Sequence, residues 1–404
     1  MIDFKYIKDI TQSTQTKIIM LVVDGLGGLP NSKTGKSELE TAKTPNLDDL
    51  AKESECGLTT PVGPGITPGS GPGHMSLFGY NPVKYLIGRG VLEALGIDIK
   101  LQENDIAARG NLCTVDSEGI LIDRRAGRIP TEESASIIKL LNEIEEIPPL
   151  KFTIYPVRDH RFVLVMKGNG LQDQVSETDP QQIGVLPLKA ESLSKQAEPT
   201  AKAVNNFVNS ISSVLKSRST ANMVLLRGFS SLPNLPDFGE TYRLKPIAIA
   251  SYPMYRGLAR LVGMKILKTG LTFDDQIKSL QANFENSNFF FIHYKPTDAA
   301  GEDGDFEAKV AALEELDHQI PNLINLGADA LVISGDHSTP AVMSNHSWHP
   351  VPLLIHSRTS TMRTGPNSGF SESSFASGSI GHIHATSVMM LALAHAGKLK
   401  KFGP

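Results

Sequence analysis

The stretch Lys17-Ile-Ile-Met-Leu-Val-Val-Asp24-Gly25-Leu-Gly-Gly28 decides the reading of this chain: six apolar residues end on a carboxylate and a glycine-rich turn. Two later segments repeat the pattern. Residues 289–294 lead to Asp298, and residues 331–334 run into Gly335-Asp336-His337. Short apolar runs closed by glycine and an acid read as buried parallel strands. Ligands collect beyond the carboxyl ends of such strands, so acids far apart in sequence converge there. His346 follows, four residues before Pro350-Val-Pro352. Carboxylates and imidazoles on one rim describe a divalent metal site, sized for two ions.

At 404 residues the chain is long for one core, and two domains are expected. Its 40% hydrophobic and 20% charged residues are those of an ordinary globular protein. A net charge of −4, with both signs dispersed, leaves no basic footprint for nucleic acid. No segment approaches the roughly 20 apolar residues of a membrane span. Met1-Ile-Asp-Phe-Lys lacks the apolar core of a secretory signal. Cys56 and Cys113 form no CxxC, so neither a disulfide framework nor a cysteine zinc site is indicated. A cytoplasmic enzyme is the expectation.

The first hundred residues read as strand, glycine-rich loop and helices, with Thr44 capping and Pro45 opening one helix. Residues 63–73, with five glycines and three prolines, read as irregular. From about Asp105 the texture changes to short alternating strands (107–115, 120–123, 152–157, 161–167) around a helix at 132–144. A helix at 201–215 follows. That order predicts a small α+β domain. Strand–helix alternation then resumes, with strands at 221–226, 246–250, 289–294, 331–334 and 351–355 and a helix over 307–323. The expected fold is α/β, a doubly wound sheet (1–104 and 216–404) interrupted by an inserted α+β domain (105–215). Serine-rich 357–379 reads as a loop.

Ser70 stands between Gly69 and Gly71, where backbone can approach an anion closely and a hydroxyl can act as nucleophile or metal ligand. It is not a G-x-S-x-G elbow, because Pro68 occupies the first glycine position, and Gly35-Lys36-Ser37 is no Walker A loop, because Pro30 does the same there. The clusters Arg124-Arg125-Ala-Gly-Arg128, His160-Arg161 and Arg227-Gly228 suit phosphate or carboxylate oxygens, although any one of them also fits a solvated face.

These motifs, with Phe78-Gly-Tyr80, Ala108-Arg-Gly-Asn111 and Lys295-Pro-Thr-Asp298, resemble the archaeal-type 2,3-bisphosphoglycerate-independent phosphoglycerate mutases of the alkaline phosphatase superfamily. The resemblance spans nearly the whole chain. It implies an alkaline-phosphatase-like α/β domain with a substrate-binding insert that acts as a lid. It implies Ser70 as nucleophile, one metal on Asp24, Ser70, Asp336 and His337, and a second on Asp298, residue 302 and His346. The reaction implied is interconversion of 3-phosphoglycerate and 2-phosphoglycerate through a phosphoserine, without 2,3-bisphosphoglycerate. Substrate contacts are expected from Asn111, Arg124, Arg128, His160, Arg227 and Arg256. The family commonly has histidine where this chain has Glu302, an oxygen donor that favours Mn²⁺ or Mg²⁺, with Zn²⁺ and Co²⁺ as alternatives. Asp303 and Asp305 stand nearby as substitutes. Arg256 replaces a frequent lysine and keeps its charge, but it cannot exchange a proton. The competing readings are a phosphatase or phosphotransferase on the same scaffold and a binding protein that has lost catalysis.

Overall fold

A computed structural model describes residues 4–144, 151–359 and 369–403. Its strands are β1 (Ile18–Val23), β2 (Glu55–Thr60), β3 (Ile106–Val115), β4 (Leu121–Asp123), β5 (Lys151–Pro156), β6 (Arg161–Lys167), β7 (Met223–Ser230), β8 (Pro246–Ile249), β9 (Lys265–Ile266), β10 (Phe289–Tyr294), β11 (Ala330–Ser334), β12 (Val351–Ser357) and β13 (Gly381–His384). Two compact units result, one of residues 1–86 and 235–404 and one of residues 87–234.

The first unit is built on a sheet ordered β13-β2-β12-β11-β1-β10-β8-β9. β1 lies at its centre, parallel to both β10 and β11, with Val23 opposite Tyr294 and Val22 opposite Ser334. All three strands are buried along their whole length, as near-continuous apolar runs require when helices cover both faces. Because they are parallel, their carboxyl ends share one edge. β12 runs antiparallel to β11. It therefore starts at the edge where β11 ends, and the connection between them, which carries Asp336, His337 and His346, stays on that edge.

The second unit holds the five-stranded sheet β4-β3-β6-β5, with β7 on β3. Ile106, Ala108, Leu112, Phe162, Leu164 and Val224 face helices Thr131–Leu141 and Glu198–Leu215 and form its core.

Five readings need correction. The insert begins before 105 and ends after 215, because helix Arg89–Gly96 packs on β3 and β7 pairs with β3, not with the large sheet. The helix expected over 307–323 is two, Phe306–Asp317 and Ile320–Ile324, since Pro321 lacks the N–H that would continue the first. Thr44 makes no side-chain cap on helix Pro45–Lys52. The Asp317 carboxylate takes the Asn46 and Leu47 N–H groups instead, at 3.2 and 2.8 Å. Residues 70–73 are not irregular but form the first turn of helix Ser70–Leu77, where proline and glycine are tolerated because no intrahelical donor is needed. Of the serine-rich stretch, 360–368 lies outside the described residues, and Glu372–Phe375 is a short helix.

Leu21 sits in the middle of β1 with no exposed surface. Leu21→Ala should lower stability by about 2–5 kcal/mol, read as an earlier urea midpoint.

Candidate metal and nucleophile site

Asp24 follows β1 directly, and its N–H donates to the Tyr294 carbonyl at 2.8 Å. Its Oδ2 accepts from the Tyr255 hydroxyl and lies 3.1 Å from both His293 Nε2 and Lys295 Nζ. Gly25 adopts φ +66°, and a Cβ there would stand 2.6 Å from Thr339 Oγ1 and 2.9 Å from the Asp298 Cα. Only glycine lets the loops after β1, β10 and β11 come this close.

Ser70 opens its helix, with Gly69 as the extended cap. One turn on, a Cβ at Gly73 would fall 2.1 Å from the Asp336 carbonyl oxygen, so glycine is needed to seat the helix against the β11 loop. Ser70 Oγ then stands 3.2 Å from His337 Nε2.

The hydrogen bonds fix which nitrogen of each histidine faces the site. Thr339 Oγ1 donates to Asp298 Oδ1 at 2.7 Å, so at 3.0 Å it accepts the Nδ1–H of His337. His337 Nε2 is left as an acceptor facing Ser70. His346 Nδ1 donates to the Pro68 carbonyl at 2.9 Å, which leaves its Nε2 facing Asp298 Oδ1 and Glu302 Oε1, each at 3.5 Å. His74 Nδ1 is committed to the Ser70 carbonyl at 2.8 Å.

For neutral His337 beside ionised carboxylates, this brings lone pair against lone pair. His337 Nε2 is 3.3 Å from Asp24 Oδ1 and 3.2 Å from Asp336 Oδ2, yet both oxygens are buried without a hydrogen bond. Each such group costs about 1–3 kcal/mol if left unsatisfied. A cation removes the conflict. Asp24, Asp336 and His337 offer ligand atoms all within 4.8 Å of one another, and so do Asp298, His337 and His346. Mixed carboxylate–imidazole donors suit Mn²⁺, Mg²⁺ or Zn²⁺. Ordering the imidazoles through their far nitrogens is how metal-binding histidines are held.

The electrostatics agree. Burial pushes Asp336 well above the usual carboxylate range, reinforced by the charges of Asp24 and Asp298. Burial and Asp24 raise Asp298 as well. Asp24 is held well below that range: burial alone would raise it, but the His293 hydrogen bond and Lys295 outweigh burial. Burial drives His337 far down and takes His74 and His293 to about 4. His346 rises to about 9, since Glu302 and the Pro68 carbonyl overcome its burial.

Of the expected ligands, Asp24, Ser70, Asp298, Asp336, His337 and His346 lie together. Glu302 reaches them only through His346, and its side chain is 54% exposed. Asp305 is occupied as the cap of helix Phe306–Asp317. Arg256 is half-buried beside Tyr255, with one Nη on the Ser251 carbonyl at 2.8 Å. Sequence reasoning did not assign Lys295, Tyr255, His293 or Thr339. His293 gave a signal, a histidine interrupting an apolar strand.

The second unit contains a separate cationic face. Register sets Arg109 opposite Arg227 and Asn111 opposite Arg161, all half-buried, on the side away from the core. Asn111 Oδ1, His160 Nδ1 and Arg161 Nε are buried without partners there. Burial, with Arg161, Arg109 and Arg125, takes His160 down to about 4. Arg124 is already paired, its Nε and Nη2 donating to the two Asp179 oxygens at 2.9 and 2.7 Å. Arg227 donates to Glu177 at 3.1 Å. Arg128 is exposed on a left-handed turn at φ +54°. Arg161 was read only as part of the His160-Arg161 cluster and Arg109 was not singled out; strand register sets both on this face, where Arg109 pairs with Glu93 at 3.4 Å.

With this geometry in place, the relatives are informative. Residues 51–221 match the family model of 2,3-bisphosphoglycerate-independent phosphoglycerate mutase. A Thermotoga maritima protein named "Probable 2,3-bisphosphoglycerate-independent phosphoglycerate mutase" is 51% identical over 400 residues, 99% of this chain and 98% of its own. One of the same name from Thermus thermophilus is 48% identical over 404 residues, 99% of each chain. The solved cofactor-independent phosphoglycerate mutase of Thermoplasma acidophilum aligns at TM-score 0.69 and 27% identity, covering 94% of this chain and 100% of its own. A solved Pyrococcus horikoshii protein aligns at 0.81 and 25%, covering 97% and 100%. The chain belongs to the 2,3-bisphosphoglycerate-independent phosphoglycerate mutase family.

Mn²⁺ at about 100 times its dissociation constant should stabilise the metal-stripped protein by ~2.7 kcal/mol, seen as a calorimetric upshift. Asp336→Asn should remove most of that shift.

Proposed function

We propose that this protein interconverts 3-phosphoglycerate and 2-phosphoglycerate without 2,3-bisphosphoglycerate, through a phosphoryl group carried on Ser70. The observation that carries the reading is Ser70 Oγ at a helix N-terminus, 3.2 Å from His337 Nε2 and beside two buried carboxylate oxygens, Asp24 Oδ1 and Asp336 Oδ2, that have no hydrogen-bond donor. Family membership supports the reaction type.

Two divalent cations would be held, one by Asp24, Asp336, His337 and Ser70 and one by Asp298 and His346 with Glu302 beside them. When bound they would neutralise phosphoryl charge and lower the proton affinity of the serine hydroxyl. The protein's own groups do the rest. The helix N-terminus favours the anion that Ser70 approaches. Ser70 attacks phosphorus and the glycerate oxygen leaves. The retained glycerate then turns, and its other hydroxyl takes the phosphoryl group back. Lys295, paired with Asp24 and Asp298, adds positive charge near the nucleophile.

The insert is the proposed substrate-binding unit and lid. Arg109, Arg161 and Arg227 with Asn111 match the carboxylate and phosphate of a small phosphorylated acid. Water must be excluded while Ser70 is loaded, or hydrolysis competes. Glycolysis and gluconeogenesis are the setting of this interconversion, and the cytoplasm is the compartment the reading assigns.

Turnover of 3-phosphoglycerate, coupled to enolase with free phosphate monitored, tests the proposal. Mn²⁺-loaded protein should show mutase activity without bisphosphoglycerate, and Ser70→Ala should abolish it. Phosphate release without isomerisation would select a phosphatase. Arg109→Ala and Arg227→Ala should each raise KM about tenfold or more, the scale of a lost hydrogen bond to a charged group.

A further inference from the structure

Lys309 lies in helix Phe306–Asp317 with no exposed surface. Its Nζ donates to the Gly27 carbonyl at 2.9 Å and to the Thr339 carbonyl at 2.8 Å, and it stands 3.9 Å from Glu38 Oε1. Gly27 closes the loop that begins at Asp24, and Thr339 follows His337 by two residues. The same Gly27 carbonyl accepts the Thr339 N–H at 3.0 Å. Glu38 extends the grip along the second loop, its Oε1 taking the Ala341 N–H at 2.7 Å. Glu372 does the same for the first loop, accepting from the Gly28 N–H and from Ser37 Oγ, each at 2.7 Å.

A buried ammonium is a weak device for stability alone, because an apolar side chain of similar volume often does as well or better. What an apolar residue cannot do is hold two carbonyls from different loops at a fixed separation. Thr339 is also the residue whose hydroxyl orients His337 and bonds Asp298. Displacing its backbone moves both imidazole and carboxylate.

We infer that Lys309 is a positioning residue that clamps the loops carrying Asp24 and His337 from behind, holding them at the spacing a shared cation requires. This rests on the metal-site reading given above.

The test is Mn²⁺ titration calorimetry on metal-stripped protein, with folding followed by circular dichroism. Lys309→Met removes the clamp but leaves Glu38 unpaired. Lys309→Met/Glu38→Gln also removes that charge, so no unpaired buried carboxylate is left to oppose folding. Glu38→Gln alone retains the Lys309 bonds to the Gly27 and Thr339 carbonyls and an amide oxygen for the Ala341 N–H. Lys309→Met/Glu38→Gln should bind Mn²⁺ about 10- to 100-fold more weakly, the range for lost outer partners of metal ligands, while Glu38→Gln binds as wild type. A folded Lys309→Met/Glu38→Gln protein with wild-type affinity would overturn the clamp. Wild-type protein that binds no Mn²⁺ would overturn the metal-site reading, and the clamp with it.

Discussion

Three carboxylates are forced into one dry corner by the direction of three strands. β1, β10 and β11 are parallel neighbours, so Asp24, Asp298 and Asp336 emerge at the same edge, each almost wholly buried. Their mutual repulsion appears as the upward shifts of Asp298 and Asp336 and in the reliance of Asp24 on His293 and Lys295. Much else in the first unit answers that constraint. Lys295 brings a charge between two of the acids. The Thr339 hydroxyl couples His337 to Asp298. His346 is returned to the edge by the antiparallel entry of β12. Buried carboxylates and imidazoles crowded onto one edge are an arrangement that a cation completes.

The part of the site written in strand order was legible from sequence. Apolar runs ending in Asp24, Asp298 and Asp336 needed only the rule that ligands gather at parallel strand ends, and His337 came with them. Ser70 was legible as a residue type between glycines but not as a helix start, because a glycine- and proline-rich segment gives no periodicity. The contributions of Tyr255, Thr339 and Lys309 depend on where helix Pro253–Leu261, the β11 loop and helix Phe306–Asp317 pack, which local pattern does not encode.

The insert shows the same division. Its α+β character was plain from alternating strands, but β7 was read into the larger sheet because a strand's texture does not name its partner. That misplacement hid the pairing of Arg109 with Arg227. Arg124 was expected to contact substrate, and both its Nε and Nη2 are held by Asp179. Arg109 and Arg227 are paired as well, with Glu93 and Glu177, and register sets them on the face that carries the unpartnered Asn111 and Arg161 atoms.

The central claim is that Ser70 carries the phosphoryl group while carboxylates and imidazoles hold the charge around it. Its most direct test is mass spectrometry of peptides from metal-loaded protein quenched in acid during turnover of 3-phosphoglycerate. The account predicts one added phosphoryl group on the peptide containing Ser70, located on that side chain. Sustained turnover with Ser70 unmodified, or with the phosphoryl group on another residue, would contradict it.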